Sequence, residues 1–232
     1  MRAARSVLIL VLLAIASAGS AETLRDDLVE RRARLVAALG PESVAIFWSA
    51  PPRVYSHTVR YPYRQDSNLL YLTGIDQEET ILVLMPGNAS RREFLFIREA
   101  DPRREHWDGH RLTPEEATTV SGVQTVLRVA EFDRFISAIL SGQPPAATRG
   151  DPGEHARFFR ALADGQARLA LLLEAQPSLD DPPGQVRRFA AAARERFFGF
   201  TVQDATPIVH GLRQIKTPYE PVSYTHLRAH ET

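Results

Sequence analysis

The sequence contains no cysteine, and this absence removes several classes of protein at once. A chain without thiols has no disulfide, no thiolate metal site and no cysteine nucleophile. A lipoprotein anchor, which is attached through cysteine, is excluded as well. Lysine is almost absent too, since Lys216 is the only one, and 28 basic residues are balanced by 28 acidic ones. A formal charge of zero gives no basic field that would attract nucleic acid.

The chain also lacks the short motifs that mark common active sites. It has no glycine-rich phosphate loop, no Gly-x-Ser-x-Gly nucleophile elbow and no basic stripe interleaved with aromatic residues. What it does have is a hydrophobic share of 44% in 232 residues. These values are typical of one globular domain, or of one domain and part of another.

The N-terminal segment differs from the rest of the chain. Basic residues precede a short apolar stretch, Ser6 to Ile15, and small residues follow it. This order predicts a secretory signal peptide over residues 1–21, with cleavage after Ala21 or Ala18. An uncleaved anchor is the alternative, but the apolar run is shorter than the roughly 20 residues that span a bilayer. We therefore expect an exported protein, periplasmic or secreted, with no stable membrane anchor.

Periodicity and turn residues predict an α/β domain with a mixed β-sheet flanked by helices. Thr23 and Thr113 each begin a helix as an N-cap with an acid three positions later. Pro86-Gly87-Asn88 predicts the turn of a hairpin between two apolar strands. The predicted helices cover residues 24–39, a short stretch from 114, 131–140, 155–176 and 185–198, and the predicted strands cover 44–48, 69–73, 80–85, 93–97 and 123–129.

One polar stretch has a spacing known from zinc sites. His106 and His110 are four residues apart, the spacing at which one helical face offers two imidazoles to zinc. Pro102 and Gly109 make this stretch a loop, however, and no glutamate lies between the two histidines. The simpler interpretation is a surface loop in which Trp107 packs as an anchor.

A second polar cluster runs directly into an apolar segment and contains Arg64, Gln65, Asp66 and Asn68. Such side chains satisfy buried backbone groups where a loop enters the core. The residues alone favour this structural role, and they leave a binding pocket open as the alternative.

The same stretches carry a family resemblance. The segment from Tyr63 to Gly74, with its Arg-Gln pair and its Tyr-Leu-Thr-Gly ending, resembles the N-terminal domain of Xaa-Pro aminopeptidases (aminopeptidase P). The stretch from Asp101 to Ala117 is similar to a second pattern of that family. Residues 208–220 resemble the junction into its catalytic domain. Three motifs in the family's order extend the resemblance over about residues 24–220.

The resemblance implies a two-domain metallopeptidase of which this chain holds the first part. Residues 22–207 would form the N-terminal domain, and residues 208–221 would form the junction and the first residues of the catalytic domain. In the family, the second domain has the "pita-bread" fold and binds two metal ions, commonly manganese, through two aspartates, a histidine and two glutamates. It cleaves peptides with proline in the second position. The N-terminal domain helps to build a homo-oligomer and restricts the active-site entrance.

All five of those ligands would follow the junction, so none can be assigned in this sequence. Glu231 is the only acid after Glu220, and there is no aspartate. The sequence therefore predicts no catalytic, cofactor-binding or metal-binding residue in this chain, and it predicts that this polypeptide alone is inactive.

The junction ends in the start of a helix. Thr217 suits the N-cap, Pro218 the first helical position and Glu220 the third, from which a carboxylate reaches back to the cap. Pro221 then interrupts the pattern. Residues 222–232 resemble a translated sequencing adapter, so we expect a non-native tail, with a natural truncated paralogue as the alternative.

Two other functions stay open on sequence alone. One is a related "pita-bread" hydrolase such as a prolidase or creatinase. The other is a stand-alone N-terminal domain that acts in oligomerisation or ligand binding without catalysis. The segment Tyr71-Leu72-Thr73-Gly74 and the loop around Trp107 favour the aminopeptidase.

Overall fold

The structure, a computed structural model, describes residues 23–53, 61–100, 109–151, 153–173, 182–217 and 219–220. The α-helices within these ranges are α1 (Leu24–Leu39), α2 (Ser67–Thr73), α3 (Pro114–Ser121), α4 (Phe132–Leu140), α5 (Ala156–Ala163), α6 (Gln185–Arg196) and α7 (Thr206–Gln214). The strands are β1 (Ser43–Trp48), β2 (Ile81–Leu84), β3 (Glu93–Ile97), β4 (Thr125–Arg128), β5 (Ala167–Leu171) and β6 (Phe200–Asp204). In the part of the chain that is described, no helix is long and apolar enough to cross a membrane.

The six strands form one mixed sheet in the order β4-β3-β2-β1-β5-β6. The β1–β2 and β2–β3 pairs are antiparallel, whereas the β3–β4, β1–β5 and β5–β6 pairs are parallel. The hairpin predicted at Pro86-Gly87-Asn88 is confirmed, because this turn joins β2 to β3. Helices cover both faces of the sheet, so the predicted fold class is confirmed.

Strand alternation divides the core into two layers. Val44 and Ile46 of β1 belong to one layer, and Ala45 and Phe47 belong to the other. The cause is the period of a β-strand, in which successive side chains point to opposite faces. The first layer packs against α4, α5 and α6, and the second packs against α1, α2, α3 and α7. The central strands β1 and β2 are apolar except for Ser43 because both of their faces are buried.

Aromatic rings fill the first layer. Phe94 and Phe96 of β3 lie 4.9 and 5.2 Å from Phe135 of α4, measured between ring centroids. Phe132 meets Phe96 edge to face at 5.5 Å. Contacts of this kind add roughly 0.5–1.5 kcal/mol each beyond the burial of area, so they fix α4 on the sheet.

Both N-caps predicted in the first half of the chain are confirmed. The Thr23 hydroxyl accepts from the N–H of Asp26 at 3.2 Å, and the Asp26 carboxylate accepts from the N–H of Thr23 at 3.3 Å. Thr113 and Glu116 repeat this arrangement at 3.2 and 2.8 Å. Each cap satisfies helix N–H groups that have no partner within the helix.

The predicted strand over Leu69–Thr73 is wrong, because these residues belong to α2. The Asp66 carboxylate begins the helix by accepting from the N–H groups of Asn68 and Leu69, both at 2.9 Å. Gly74 ends it with a left-handed φ of 68°. The apolar run from Leu69 to Leu72 is too short to show a clear helical period, so the two end residues decide its conformation.

The predicted helix over residues 155–176 is confirmed over Ala156–Ala163 and is wrong beyond them. The chain forms only α5, turns at Gly165 with a φ of 70°, and then enters β5. Leu169 and Leu171 therefore lie in the sheet rather than on a helix. Residues 174–176 of that prediction lie outside the described ranges.

The sequence analysis missed β6 and α7, although it placed the junction motif over the second of them. β6 is short and forms an edge of the sheet, where the apolar signal is weak. The other predicted strands and helices lie within two residues of their observed ends.

Candidate functional site

The predicted polar cluster does not form one pocket, because its members contact different parts of the domain. Gln65 is buried, with 5% of its surface exposed. Its Oε1 accepts from the backbone N–H of Ala50 at 3.1 Å and from the Tyr63 hydroxyl at 2.8 Å. Its Nε2 donates to the carbonyl of Gln77 at 2.8 Å. Gln65 thus ties the end of β1 to the loop before β2, which is a structural role.

Tyr63 supports this arrangement as a neutral side chain. Burial raises the pKa of Tyr63 to about 12. The hydroxyl therefore stays protonated and donates a hydrogen bond to Oε1 of Gln65. Of the remaining members, Asp66 caps α2, Arg64 is exposed, and only Asn68 reaches another polar region.

That other region lies where the chain leaves the domain. We call it the junction face and define it by Asp27, Arg31, Tyr71, Arg213 and Glu220. These residues come from α1, α2, α7 and the segment after α7, and they converge because α1 packs against both α2 and α7.

Arg31 is the centre of the junction face. It is 6% exposed and forms an ion pair with Asp27, one turn earlier on α1. Its Nη1 donates to the backbone carbonyl of Tyr71 at 3.1 Å. Its guanidinium lies 4.3 Å from the centroid of the Tyr71 ring, within the range of a cation–π contact.

Arg213 approaches the same ring from α7. Its guanidinium lies 5.7 Å from the ring centroid, and its Nη1 donates to Asn68 Oδ1 at 2.7 Å. The Tyr71 hydroxyl is 3.4 Å from the carbonyl of Leu212. Burial raises the pKa of Tyr71, so the hydroxyl remains a donor. Two arginines from different helices therefore hold one aromatic ring.

Glu220 connects the segment after α7 to this cluster. Its Oε2 accepts from the N–H of Thr217 at 2.8 Å, so the predicted contact from Glu220 back to the cap is confirmed. Its Oε1 lies 3.7 Å from Nη2 of Arg31. Pro218 and residues 221–232 of the predicted helix start and tail lie outside the described residues. The carboxylate of Glu220 thus caps the helix start and also lies near the guanidinium of Arg31.

Unused hydrogen-bond donors lie beside the junction face. Nε and Nη2 of Arg34 are buried and have no hydrogen-bond partner among the described residues. Arg34 lies on α1 three residues after Arg31, and its charge acts on Tyr71. A buried donor without a partner costs free energy, so this face is suited to receive a further acceptor.

A second polar cluster, by contrast, is closed. We call it the hairpin clamp and define it by Asn88, Ser90, Thr148, Glu154 and His155. The Glu154 carboxylate accepts from the N–H and hydroxyl of Ser90 at 3.1 and 2.7 Å, and from the N–H of Arg91 at 2.5 Å. Burial alone would raise the pKa of Glu154, but these hydrogen bonds hold it below its usual range.

His155 occupies the interior of the hairpin clamp. Its Nδ1 lies 3.0 Å from Asn88 Oδ1, and its Nε2 lies 2.7 Å from the Thr148 hydroxyl. Because Asn88 donates through its amide nitrogen to another carbonyl, its Oδ1 is the acceptor and Nδ1 of His155 carries the proton. Burial lowers the pKa of His155. A hydroxyl beside an imidazole suggests nucleophilic chemistry, but Thr148 is 1% exposed, so the cluster is structural.

The histidine pair considered for zinc is only partly visible. His106 and Trp107 lie outside the described residues. His110 is exposed, and its Nε2 lies 3.1 Å from a carboxylate oxygen of Glu116. Among the residues that the structure describes, no three histidine, cysteine or acidic side chains converge as a metal site.

Comparison with protein families assigns the fold. A family model described as "Aminopeptidase P, N-terminal domain" matches residues 28–147, which is more than half of the chain. This range includes most of α1 and all of α2, and with them Arg31 and Tyr71 of the junction face.

Curated relatives extend the similarity towards the junction. The Xaa-Pro aminopeptidase of Escherichia coli strain K12 is 30% identical over 200 residues, which is 86% of this chain and 41% of that protein. The Xaa-Pro aminopeptidase of Haemophilus influenzae is 31% identical over 154 residues, which is 63% of this chain and 36% of that protein. The chain thus spans about two fifths of the length of these relatives.

A solved structure gives the same similarity in three dimensions. A Bacillus anthracis structure assigned to aminopeptidase P superposes with a TM-score of 0.69 at 26% identity. The superposition covers 84% of this chain and 42% of that one.

Proposed function

We propose, from the premise that this chain belongs to the family of aminopeptidase P N-terminal domains, that it is the non-catalytic N-terminal part of an exported, metal-dependent Xaa-Pro aminopeptidase. The complete enzyme would remove the first residue from peptides with proline in second position. This substrate class comes from the names of its relatives. Export comes from the signal peptide predicted over residues 1–21.

The junction face is the observation that carries this proposal. Arg31 and Arg213 hold Tyr71 between α1 and α7, and Glu220 brings the following segment against Arg31. The last described residue, Glu220, therefore lies against α1. An end held in this position, with unused donors of Arg34 beside it, favours docking of a following domain in one orientation.

The metal of the complete enzyme would be held by other residues. The resemblance implies two ions, commonly manganese, with oxygen-rich ligands. The described residues of this chain contain no cluster of that kind. When bound, such ions would supply the activated water and the oxyanion stabilisation of peptide hydrolysis. This chain's own residues would position and shield that site rather than take part in bond cleavage.

The test compares this chain with the longer protein encoded by the same locus. We expect the longer protein to release the first residue of an Xaa-Pro peptide with manganese, and to lose this activity with a chelator. We expect the purified 232-residue chain to release none. A matched peptide with alanine in second position controls for specificity.

Two outcomes would contradict the proposal. One is metal-dependent cleavage of the Xaa-Pro peptide by the 232-residue chain alone. The other is a clean downstream sequence that lacks two aspartates, a histidine and two glutamates in a second domain. N-terminal sequencing of the protein recovered from outside the cytoplasm tests export separately, because a retained Met1 would argue against the signal peptide.

A further inference from the structure

The strands β3 and β4 end in a position that favours ligand binding in α/β sheets. They are parallel neighbours, so their carboxyl ends meet at the same edge of the sheet. The chain leaves β3 towards α3 on one face of the sheet, and it leaves β4 towards α4 on the other face. Ligands of open α/β sheets bind in the crevice that such a divergence opens. The chain diverges in this way after other strands too, so the lining of the crevice decides whether it is a site.

A cavity of about 620 Å³ lies at this end of β3 and β4. Its volume is within the range of small-molecule sites. Val129 and Ala130 form an apolar part of its wall. The other described residues that line it come from the loop before β2, the ends of β3 and β4, and the start of α4. They are three arginines and three glutamates: Glu79, Arg98, Glu99, Arg128, Glu131 and Arg134.

Opposite charges are interleaved in this lining. Nη1 of Arg98 donates to Oε1 of Glu79 at 3.0 Å, and Nε of Arg128 donates to Oε1 of Glu131 at 2.8 Å. The hydrogen bond to Glu131 raises the pKa of Arg128, and the charge of Glu99 raises it further, so two carboxylates lie near this guanidinium. Because neither sign dominates, the cavity suits a ligand that carries both charges better than a simple anion or cation.

Glu79 is held at this cavity in an uncommon backbone conformation. Its φ is 54°, and among the described residues the other positive φ values belong to glycines. A residue with a side chain disfavours this left-handed region, so the surrounding structure must hold Glu79 in it. Residues held in this way cluster at ligand sites. The conformation places the carboxylate of Glu79 on Arg98 in the lining of the cavity.

We propose that this cavity binds a small zwitterion, namely a free amino acid or a dipeptide. The ligand carboxylate would bind the guanidinium groups of Arg128 and Arg134, since a planar guanidinium matches a carboxylate with two parallel hydrogen bonds. The ligand ammonium would bind the carboxylate of Glu99, whose charge acts on Arg128. An aliphatic side chain of the ligand would pack on Val129 and Ala130.

This binding site goes beyond the proposed peptidase function and does not depend on it. Ligand binding is measured on the 232-residue chain without metal, whereas peptidase activity is measured on the longer protein. Either proposal can therefore fail while the other stands.

Calorimetry with matched ligands tests the chemistry of the site. L-leucine carries both charges, N-acetyl-L-leucine lacks the ammonium, and L-leucinamide lacks the carboxylate. We expect the purified chain to bind L-leucine with a dissociation constant below about 1 mM, and to bind each blocked ligand at least about tenfold more weakly. The dipeptide leucyl-alanine distinguishes the two sources, because tighter binding than leucine assigns the site to peptides and weaker binding assigns it to amino acids. The proposal is overturned if neither zwitterion binds, or if the blocked ligands bind equally well.

Two substitutions test which residue binds each end of the ligand. Arg134→Gln should weaken L-leucine binding at least about tenfold and leave L-leucinamide binding unchanged, because the amide has no carboxylate. Glu99→Gln should weaken L-leucine binding similarly and leave N-acetyl-L-leucine binding unchanged, because that ligand has no ammonium. Arg160→Gln is the matched control, since Arg160 is an exposed arginine of α5, whose residues do not line the cavity. Losses that are equal for charged and blocked ligands, or equal in the control, overturn the proposal.

Discussion

The hairpin clamp and the junction face are both polar clusters attached to an apolar sheet, yet they differ in how their groups are satisfied. In the clamp, Glu154 and His155 are at most 1% exposed and bind partners inside the domain. In the junction face, Glu220 is 3.7 Å from Arg31, and two buried nitrogens of the adjacent Arg34 have no hydrogen-bond partner among the described residues.

The difference distinguishes two roles of buried polar side chains. A closed cluster fixes the β2–β3 turn to the loop before α5 and adds to the stability of this domain alone. An open cluster stabilises little until another group completes it, because an unmatched donor offsets the gain from its neighbours. The substitutions below should therefore have large effects in the clamp and small effects in the junction face when this chain is studied by itself.

The largest loss is expected for Glu154→Ala. The substitution leaves the N–H groups of Ser90 and Arg91 without their acceptor in a buried site. We expect the free energy of unfolding to fall by about 3 kcal/mol, measured by urea denaturation. Glu154→Gln keeps the shape and one acceptor, so it should lose roughly half as much. A loss below about 1 kcal/mol for the alanine variant would mean that the clamp is not a stabilising unit.

A pH dependence should distinguish the two buried ionisable groups of the clamp. The pKa of His155 is lowered in the folded chain, so the unfolded chain binds this proton more readily. Its contribution to stability is complete above the ordinary histidine pKa of about 6.5 and declines as the pH falls below that value. His155→Gln should remove this slope.

Glu154 acts in a more acidic window. Its pKa is lowered by hydrogen bonds, so its contribution is complete above the ordinary glutamate value of about 4.3 and is lost as the pH falls through the folded pKa. Urea denaturation at a series of pH values measures both windows. A His155→Gln chain with the same slope near pH 6 as the original would contradict the assignment.

A smaller loss is expected for Arg213→Ala. The substitution removes one cation over Tyr71 and the hydrogen bond to Asn68. We expect a loss of about 1 kcal/mol in this chain, and a larger loss in the longer protein if the junction face carries a second domain. Arg160→Ala, an exposed arginine on α5, is the control and should change stability by less than about 0.5 kcal/mol. Equal losses of stability in this chain and in the longer protein would contradict a role of the junction face in docking a second domain.

The smallest effect is expected for Glu220→Gln. At 3.7 Å from Arg31 the pair is near the limit of an ion pair, so its contribution in this chain is roughly 0.5 kcal/mol or less. The comparison between the two clusters fails if this variant loses as much stability as Glu154→Ala under the same conditions.

The sequence predicted the parts of the fold that local chemistry determines. Thr23 and Thr113 mark helix starts because each hydroxyl accepts from the backbone N–H of an acid three residues later. That acid in turn accepts from the backbone N–H of the threonine. It failed where an end residue outweighs the apolar pattern, as at Asp66 and Gly74 around α2. It failed again at Gly165, which divides one apolar stretch between a helix and a strand.

The junction face was beyond sequence reasoning for a different reason. Arg31 meets Tyr71 across a separation of 40 residues, and Tyr71 meets Leu212 across 141. Only the packing of α1 against α2 and α7 brings them together, and no spacing in the sequence encodes that. The cap between Thr217 and Glu220 is local, and it was therefore predicted.

The position of β1 in the sheet has a consequence for the order in which the chain folds. Its antiparallel neighbour is close in sequence, since Ser49 and Thr80 are 31 residues apart. Its parallel neighbour is remote, since Ser43 and Arg168 are 125 residues apart. A fourfold longer loop costs about 1.2 kcal/mol more to close, so the β1–β2–β3 meander should form first. Until β5 has been synthesised, the central strand of the finished sheet is an open apolar edge, and a nascent chain at that stage is vulnerable to aggregation.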